Sequence, residues 1–497
     1  MHCGPSDKNN RIKRSRLHLF CLRLAAMMLG LLPFGMVELF LRVFDLPSQA
    51  FRNDPFLDCS QLYPLFEESS DGVYRIPLER LRLFAPAEFS SIKATNTTRV
   101  FSLGESTTQG EPYGPPTAFS AWLEINLALL APNRKWEMIN CGGLSYASYR
   151  VLPIVREVLE YDPDLIVVYC GQNEFLEARE LNGWKQTPTA WVRMISPFYR
   201  LRLVQFAGLG FKPTRAEKSK MPMTQLKCEV DALLDSQGGL EKYHRDTLDA
   251  PAVVASFRWN LEQMIEACNK RHVPIVLVVP TVNLRDCPPF KIEINPQLDS
   301  DDCHKVEFLW NQIQNNEAHP EEIVEGMKRI LAIDSQHAGA HYYLGKQAIA
   351  ARDWEAARRH LRAAKDYDVC PLRATSEIQQ SILDVAVDGD VPVLDADQLF
   401  QAQSPHGIVG YPWLIDHVHP SIEGHQLIGD ALAELLVKIA FVKSEREDWR
   451  DLRVERYREH LSKLGDAYFI RGQQRLEGLL LWTQGRAKKL GTSTLKQ

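Results

Sequence analysis

Apolar positions along the chain follow two rhythms. Short continuous apolar runs alternate with longer stretches in which apolar residues recur every three or four positions. Arg99–Leu103, Trp136–Asn140, Leu165–Tyr169 and Val273–Val279 read as strands, and Ala118–Leu130, Tyr149–Tyr161 and Val253–Asn269 as helices. A fifth run, Val391–Leu394, comes much later and is followed by a helix predicted over Gln426–Val442. Leu165-Ile166-Val167-Val168-Tyr169 is apolar throughout, as a strand covered on both faces must be. Alternation at this spacing predicts right-handed βαβ units in an α/β fold, a doubly wound parallel five-stranded sheet.

Other segments depart from that rhythm. Pro320 to Asp366 is helix after helix. Ala338–Ala351 carries Tyr343, Leu344, Gly345 and Ala348, a turn follows at Arg352-Asp353, and Trp354–Lys365 carries Ala357, Leu361 and Ala364. These offsets resemble a tetratricopeptide helical hairpin, with Glu321–Ile333 as the last helix of a preceding unit. About three units are needed for an independent solenoid, so the reading is an α-helical insertion docked on the main domain and open to a protein partner. Glu180–Asp249, with prolines at 188, 197, 213 and 222, reads as an insertion over the site and a candidate lid. Leu46–Asn96 reads as a connecting segment with short strands. The tail from Ser444 is helical, with an apolar face of Trp449, Leu452, Tyr457, Leu461, Leu464, Tyr468 and Ile470 that covers the main domain or binds a partner. The chain thus divides into 1–44, 45–95, 96–300, 301–385, 386–443 and 444–497, with the α/β domain in two parts, 96–300 and 386–443.

The amino terminus places the protein. Arg11, Lys13, Arg14 and Arg16 precede an apolar run from Leu17 to Val37 interrupted only by Arg23. A spanning helix needs roughly 20 apolar residues. The basic flank predicts that this end stays in the cytoplasm and the rest is translocated to the periplasmic side. No small-x-small cleavage site follows, which favours an uncleaved transmembrane anchor over a signal peptide. Bulk composition adds little: 497 residues, 45% hydrophobic, 24% charged, with a net charge of −5 that gives no support for a nucleic-acid binder. The ten cysteines are scattered without a Cys-x-x-Cys, so neither a zinc pattern nor a disulfide scaffold is expected. Cys141 and Cys170, beside strands, read as buried thiols.

Candidate chemistry gathers where the strands end. The first strand stops at Gly104-Glu105-Ser106, the second at Asn140-Cys141-Gly142-Gly143-Leu144-Ser145, and the third at Gly171-Gln172-Asn173-Glu174. In a parallel sheet these turns share the carboxyl edge, where open α/β sheets bind ligands. A serine there is placed to be a nucleophile. Asp416 and His419, three apart at the start of the predicted last helix, supply a base and a carboxylate to orient it. Asn173 and backbone N–H groups of the second turn can hold an oxyanion. His417, His419 and His425 lack an acidic or cysteine partner at metal-ligand spacing, so no metal and no cofactor is expected. Glu174, Arg285 and Arg373 are candidate substrate contacts, weighed against structural ion pairs.

In order and spacing, Gly104-Glu105-Ser106, the Asn140 glycine turn, Gly171-Gln172-Asn173 and Asp416-x-x-His419 resemble the four blocks of the SGNH (GDSL) hydrolase superfamily, over Asn96–Pro289 and Val391–Val442. The resemblance implies an SGNH hydrolase-like, flavodoxin-like three-layer sandwich with Ser106 as nucleophile, His419 as base and Asp416 orienting it. It also implies an oxyanion hole from Ser106, Asn173 and the second-block turn, where Gly143 and Ser145 are the candidates. Two departures stand out. Glu105 replaces the usual aspartate, and the family's second-block glycine falls on Ser145. With its anchor and helical insertion the chain resembles the membrane-anchored bacterial branch, and is distantly similar to cell-envelope polysaccharide O-acetyltransferases. The expected activity is a serine esterase acting on acyl esters of an envelope glycan or lipid. An O-acyltransferase would use the same residues, and a catalytically inactive scaffold is the reading from a different class.

Overall fold

The computed structural model describes residues 6–44, 46, 64–177, 201–204, 230, 239–245, 250–314 and 320–488. Most of the candidate lid, Glu180–Asp249, lies outside the described residues, as does much of the connecting segment.

Among the described residues, eight strands form two sheets. Three short antiparallel strands, β1 (Glu67–Glu68), β2 (Val73–Arg75) and β3 (Glu88–Ser90), lie in the connecting segment. The main sheet comprises β4 (Thr97–Gly104), β5 (Lys135–Gly142), β6 (Leu165–Tyr169), β7 (Ile275–Val279) and β8 (Val393–Asp395). It is parallel throughout, in the order β5-β4-β6-β7-β8. This is the doubly wound five-stranded sheet that the alternation predicts. The chain leaves β4 toward β5 on one side and returns to β6 on the other, so the carboxyl end of β4 is the topological switch point.

The two faces follow from the two-residue period of each strand. Phe101, Leu103, Ile166, Val168, Ile275 and Leu277 point to one face, where helices Ser148–Val158, Ala250–Lys270 and Ser376–Asp388 cover them. Val100, Leu165, Val167, Val276 and Val278 point to the other, under Phe119–Leu130, Ala396–Gln403 and Ile422–Lys438. Trp449 and Tyr457 of helix Trp449–Leu464 are buried, and that helix packs outside Phe119–Leu130. Ile470, grouped with the tail's apolar face in the sequence, is instead exposed.

Between β7 and β8 the chain makes an excursion of helices Ser300–Gln314, Pro320–Ile333, Ala338–Ala350 and Trp354–Asp366. The first three share a separate core of Val306, Leu309, Met327, Ile330, Ala340 and Leu344, while Ala357, Leu361 and Ala364 of the fourth join the core on the main sheet. Two buried carboxylates pin this unit. Asp334 pairs with Arg245 at 2.8 Å, and Asp368 accepts the Phe290 and Lys291 N–H groups at 2.7 and 3.0 Å.

Several boundaries differ from expectation. The last sheet-covering helix begins at Ile422 and ends at Lys438, four residues early at each end. Ser421 caps it by accepting the Gly424 N–H at 3.1 Å. Helix Ser148–Val158 stops short of Tyr161, before Asp162, whose φ of 54° is left-handed. At the amino end one helix runs Ser6–Val43, and its stretch Cys21–Val43, 23 residues, is long and apolar enough to cross a membrane.

Candidate active site

The site is built around the exit from β4. Gly104 must lack a side chain, because a Cβ there would lie 1.9 Å from the Tyr169 carbonyl oxygen on β6. The next residues turn at once into a single helical turn, Ser106–Gln109, which places Ser106 at the sheet edge. Buried polar side chains hold that turn. Thr108 Oγ1 donates to the Tyr169 carbonyl at 2.8 Å, and Gln109 Nε2 to the Gly142 and Leu83 carbonyls at 2.8 and 3.0 Å. Asn140 Nδ2 donates to the Thr108 carbonyl at 2.8 Å, while its Oδ1 accepts the Gly142 N–H at 2.9 Å.

Glu105 has the same task on the other side. Fully buried, its Oε1 accepts the Gly171 and Gln172 N–H groups at 2.5 and 2.8 Å, tying the Ser106 turn to the turn that carries Asn173. Burial pushes its carboxyl up to about 8, against the two N–H groups and assisted by the Glu174 charge. A carboxyl raised this way favours the folded state fully below its ordinary 4.5 and loses that contribution as pH rises toward 8. Stability is therefore expected to fall as pH rises across that window. Glu105→Gln keeps the accepting oxygen and removes the charge, so it should flatten the slope. Urea unfolding of both proteins at several pH values checks this, and a slope unchanged in the variant would contradict it.

The histidine comes from far along the chain. Asp416 and His419 do not start a helix. They sit in a loop closed by the bridge between Leu414 and Pro420. Asp416 Oδ1 accepts the Val418 and His419 N–H groups at 2.8 and 2.7 Å, and its Oδ2 lies 2.7 Å from His419 Nδ1. His419 Nε2 lies 2.8 Å from Ser106 Oγ. Burial works against charge on His419, but the Asp416 carboxylate outweighs it and holds the imidazole above its usual range. Burial likewise opposes charge on Asp416, and the two histidines beside it hold its carboxyl well below the usual range. Asn283, just beyond β7, carries this loop by donating to the Asp416 carbonyl at 2.9 Å and accepting Asp286 N–H at 2.8 Å.

Three polar donor groups border the cavity that Ser106 lines. Ser106 and Ser145 line the same cavity, and among the described residues their backbone N–H groups have no partner. Asn173, also in the lining, spends one Nδ2 hydrogen on the Tyr146 carbonyl at 3.2 Å and has one left. Gly143 does not join them, because its N–H is taken by the Gly104 carbonyl at 3.0 Å. Ser145 has a φ of 61°, the left-handed region that favours glycine.

The three candidate substrate contacts are structural. Glu174 is fully buried and accepts both Ser148 N–H and Oγ, at 2.7 and 3.0 Å, at the start of helix Ser148–Val158. Arg285 pairs with Asp286 at 2.9 Å and donates to the Tyr411 carbonyl. Arg373 is buried and donates to the Asn283 and Cys287 carbonyls at 2.8 and 2.7 Å, bracing the segment after β7 without lining the cavity. His417 lines the cavity, its ring edge-on to His419 at 6.0 Å. His425 is buried against Phe119, and burial pushes it down to about 3, so it stays neutral.

The cavity holds about 740 Å³. Its walls include Leu81–Pro86, Glu111, Tyr113–Pro115 and, from the terminal helix Asp466–Lys488, Arg475, Gly478 and Leu479. The sequence gives no signal for these wall residues beyond the apolar periodicity of the tail.

Fold and site together define a doubly wound α/β protein with a serine, a histidine and an aspartate in hydrogen-bonded series at its switch point. No family model and no curated protein matches the sequence. Among solved structures, the chain is similar to the lipase/acylhydrolase from Enterococcus faecalis, at 13% identity and a TM-score of 0.31, over 70% of this chain and 99% of that one. It is also similar to Axe2, an acetylxylan esterase from Geobacillus stearothermophilus, at 11% identity and a TM-score of 0.31, over 69% of this chain and 96% of that one.

Proposed function

We propose that this protein is an SGNH-type serine esterase, held to the membrane by its amino-terminal helix, that hydrolyses acyl esters of an envelope glycan or lipid outside the cytoplasm. The observation that carries the reading is the series from Asp416 Oδ2 through His419 to Ser106 Oγ, with steps of 2.7 and 2.8 Å. Ser106 Oγ attacks the ester carbonyl while His419 Nε2 takes its proton, and Asp416 stabilises the imidazolium. The oxygen of the tetrahedral intermediate turns toward the Ser106 N–H, the Ser145 N–H and Asn173 Nδ2. His419 then gives its proton to the departing alcohol, leaving an acyl group on Ser106. Water, deprotonated by His419, attacks that acyl group, and His419 returns the proton to Ser106 Oγ as the C–O bond to it breaks and the carboxylic acid leaves.

The anchor reading draws support from contacts at the far end of the apolar helix. Glu38 accepts the Arg202 and Leu203 N–H groups at 3.0 and 2.9 Å, and Arg202 in turn pairs with Glu266 on helix Ala250–Lys270. A helix discarded as a signal sequence would take with it the partner of those two N–H groups.

A fluorophosphonate serine probe tests the proposal on membranes carrying the full-length protein. The wild type should be labelled, Ser106→Ala and His419→Ala should not, and the labelled chain should stay in the membrane and contain residues 21–44. No labelling of a folded wild type overturns the enzyme reading. A soluble labelled product that lacks residues 21–44 overturns the anchor.

A further inference from the structure

The terminal helix Asp466–Lys488 presents one face to the mouth of the cavity. Tyr468, Gly472, Arg475 and Leu479 are spaced four, three and four apart, the spacing of a single helical stripe. Each meets the site or the segment beside it. Tyr468 OH and Thr117 Oγ1 lie 2.8 Å apart, and Arg475 Nη1 is 3.4 Å from Glu111 Oε1. Gly472 is fitted to Tyr113 so closely that a Cβ would lie 2.0 Å from that ring. Leu479 then lines the cavity together with Arg475 and Gly478.

A glycine inside a helix weakens it, so its presence asks for a spatial reason. Gly472 has one in the Tyr113 ring. Gly478 has a different one, since a Cβ there meets no atom within 4 Å while the residue itself borders the cavity. Gly478 is exposed at the edge of the cavity, and its missing side chain leaves that space open. The same cavity is lined by Leu81, Leu83, Leu144, Leu176, Leu372 and Leu479, contributed by five separate segments of the chain. Aliphatic walls on this scale suit an apolar chain, because each methylene withdrawn from water adds to binding.

We infer that the terminal helix is the specificity wall of the site, and that it shapes the cavity for an ester whose acyl group is a medium-length aliphatic chain. Gly478 sets the room available to that chain, and Leu479 contacts it. The inference rests on the esterase reading, in which that acyl group is transferred to Ser106 and then to water. Gly478 and Leu479 are specificity residues and take no part in the proton transfers.

The test compares the full-length wild type with Gly478→Leu on nitrophenyl acetate, butyrate and octanoate. Leucine is a better helix former than glycine and its Cβ meets open space, so the variant should fold at least as well. In the wild type, kcat/KM should rise about tenfold or more from acetate to octanoate. In Gly478→Leu the octanoate value should fall about tenfold, mostly through KM, while acetate stays within about twofold. Fluorophosphonate labelling of Ser106 should be equal in the two proteins. A wild type that prefers acetate, or a variant with an unchanged chain-length profile, overturns the inference while labelling keeps the esterase reading. A wild type that neither labels nor hydrolyses overturns both.

Discussion

Ser106→Ala is expected to lower kcat on an activated ester by about 10⁶-fold, and adding His419→Ala to the same chain is expected to lower it no further. The reason lies in the single contact between them. His419 Nε2 lies 2.8 Å from Ser106 Oγ, and the base has work only while that hydroxyl is there to lose a proton. Once Oγ is gone, the imidazole stands beside a methyl group and its removal changes nothing in the transition state. What survives in either variant is the donor set of Ser106, Ser145 and Asn173, which can still bind a carbonyl oxygen without a nucleophile to attack it. Folding should survive as well. Ser106 is only half-buried, and the Ser106–Gln109 turn is held by Glu105, Thr108, Gln109 and Asn140 rather than by the serine hydroxyl. The thermal midpoint of Ser106→Ala should therefore stay within about 2 °C of wild type. Steady-state kinetics on the two single variants and the double variant decide the matter. Losses that multiply would mean that the two side chains act separately.

The sheet was legible in the sequence because its signal is strong. Leu165–Tyr169 and Ile275–Val279 are apolar at every position, and only a strand buried on both faces tolerates that. Once the strands are placed, topology brings Ser106, Ser145 and Asn173 to one edge, although 67 residues of chain separate the first from the last. The neighbourhood of Asp416 and His419 was harder to read. Pro420, Ser421 and Gly424 resemble loop residues, yet Ser421 is a helix cap, and Gly424 is needed where a Cβ would come within 2.7 Å of the Trp413 carbonyl oxygen. The helix therefore begins before the periodicity is visible. Charge alone left Glu174, Arg285 and Arg373 open between substrate contacts and structural pairs. A charged residue near a strand end fits either, and here each is held by backbone groups or a neighbouring carboxylate, partners of which sequence carries no record. The same limit hid Asn283 and the cavity wall from Arg475 to Leu479, which depend on contacts made far along the chain.

Asp416→Asn separates orientation from charge. Asp416 Oδ1 is already committed to two backbone donors, Val418 N–H at 2.8 Å and His419 N–H at 2.7 Å. An asparagine must keep its oxygen there, since placing an amide NH₂ against two N–H groups would leave three buried donors unsatisfied. The NH₂ is thereby forced to the Oδ2 position, 2.7 Å from His419 Nδ1. Nδ1 then has to accept, the ring proton moves to Nε2, and the nitrogen facing Ser106 Oγ becomes a donor that cannot take the serine proton. The expected loss in kcat is about 10⁴-fold with little change in stability, because the loop keeps both of its backbone hydrogen bonds. The pH profile gives a second and independent readout. In the wild type, His419 must be neutral to act, and Asp416 holds its protonation above the usual histidine range, so activity falls as pH drops through that raised value. Without the carboxylate, burial disfavours the charged ring against only the weaker pull of the Glu111 charge, so the acidic limb of the residual activity should move to lower pH. A variant that loses activity but keeps the wild-type limb would show that Asp416 orients His419 without setting its charge. A variant that shifts the limb but keeps full activity would show that the carboxylate tunes the base and that its tautomer is fixed by other groups.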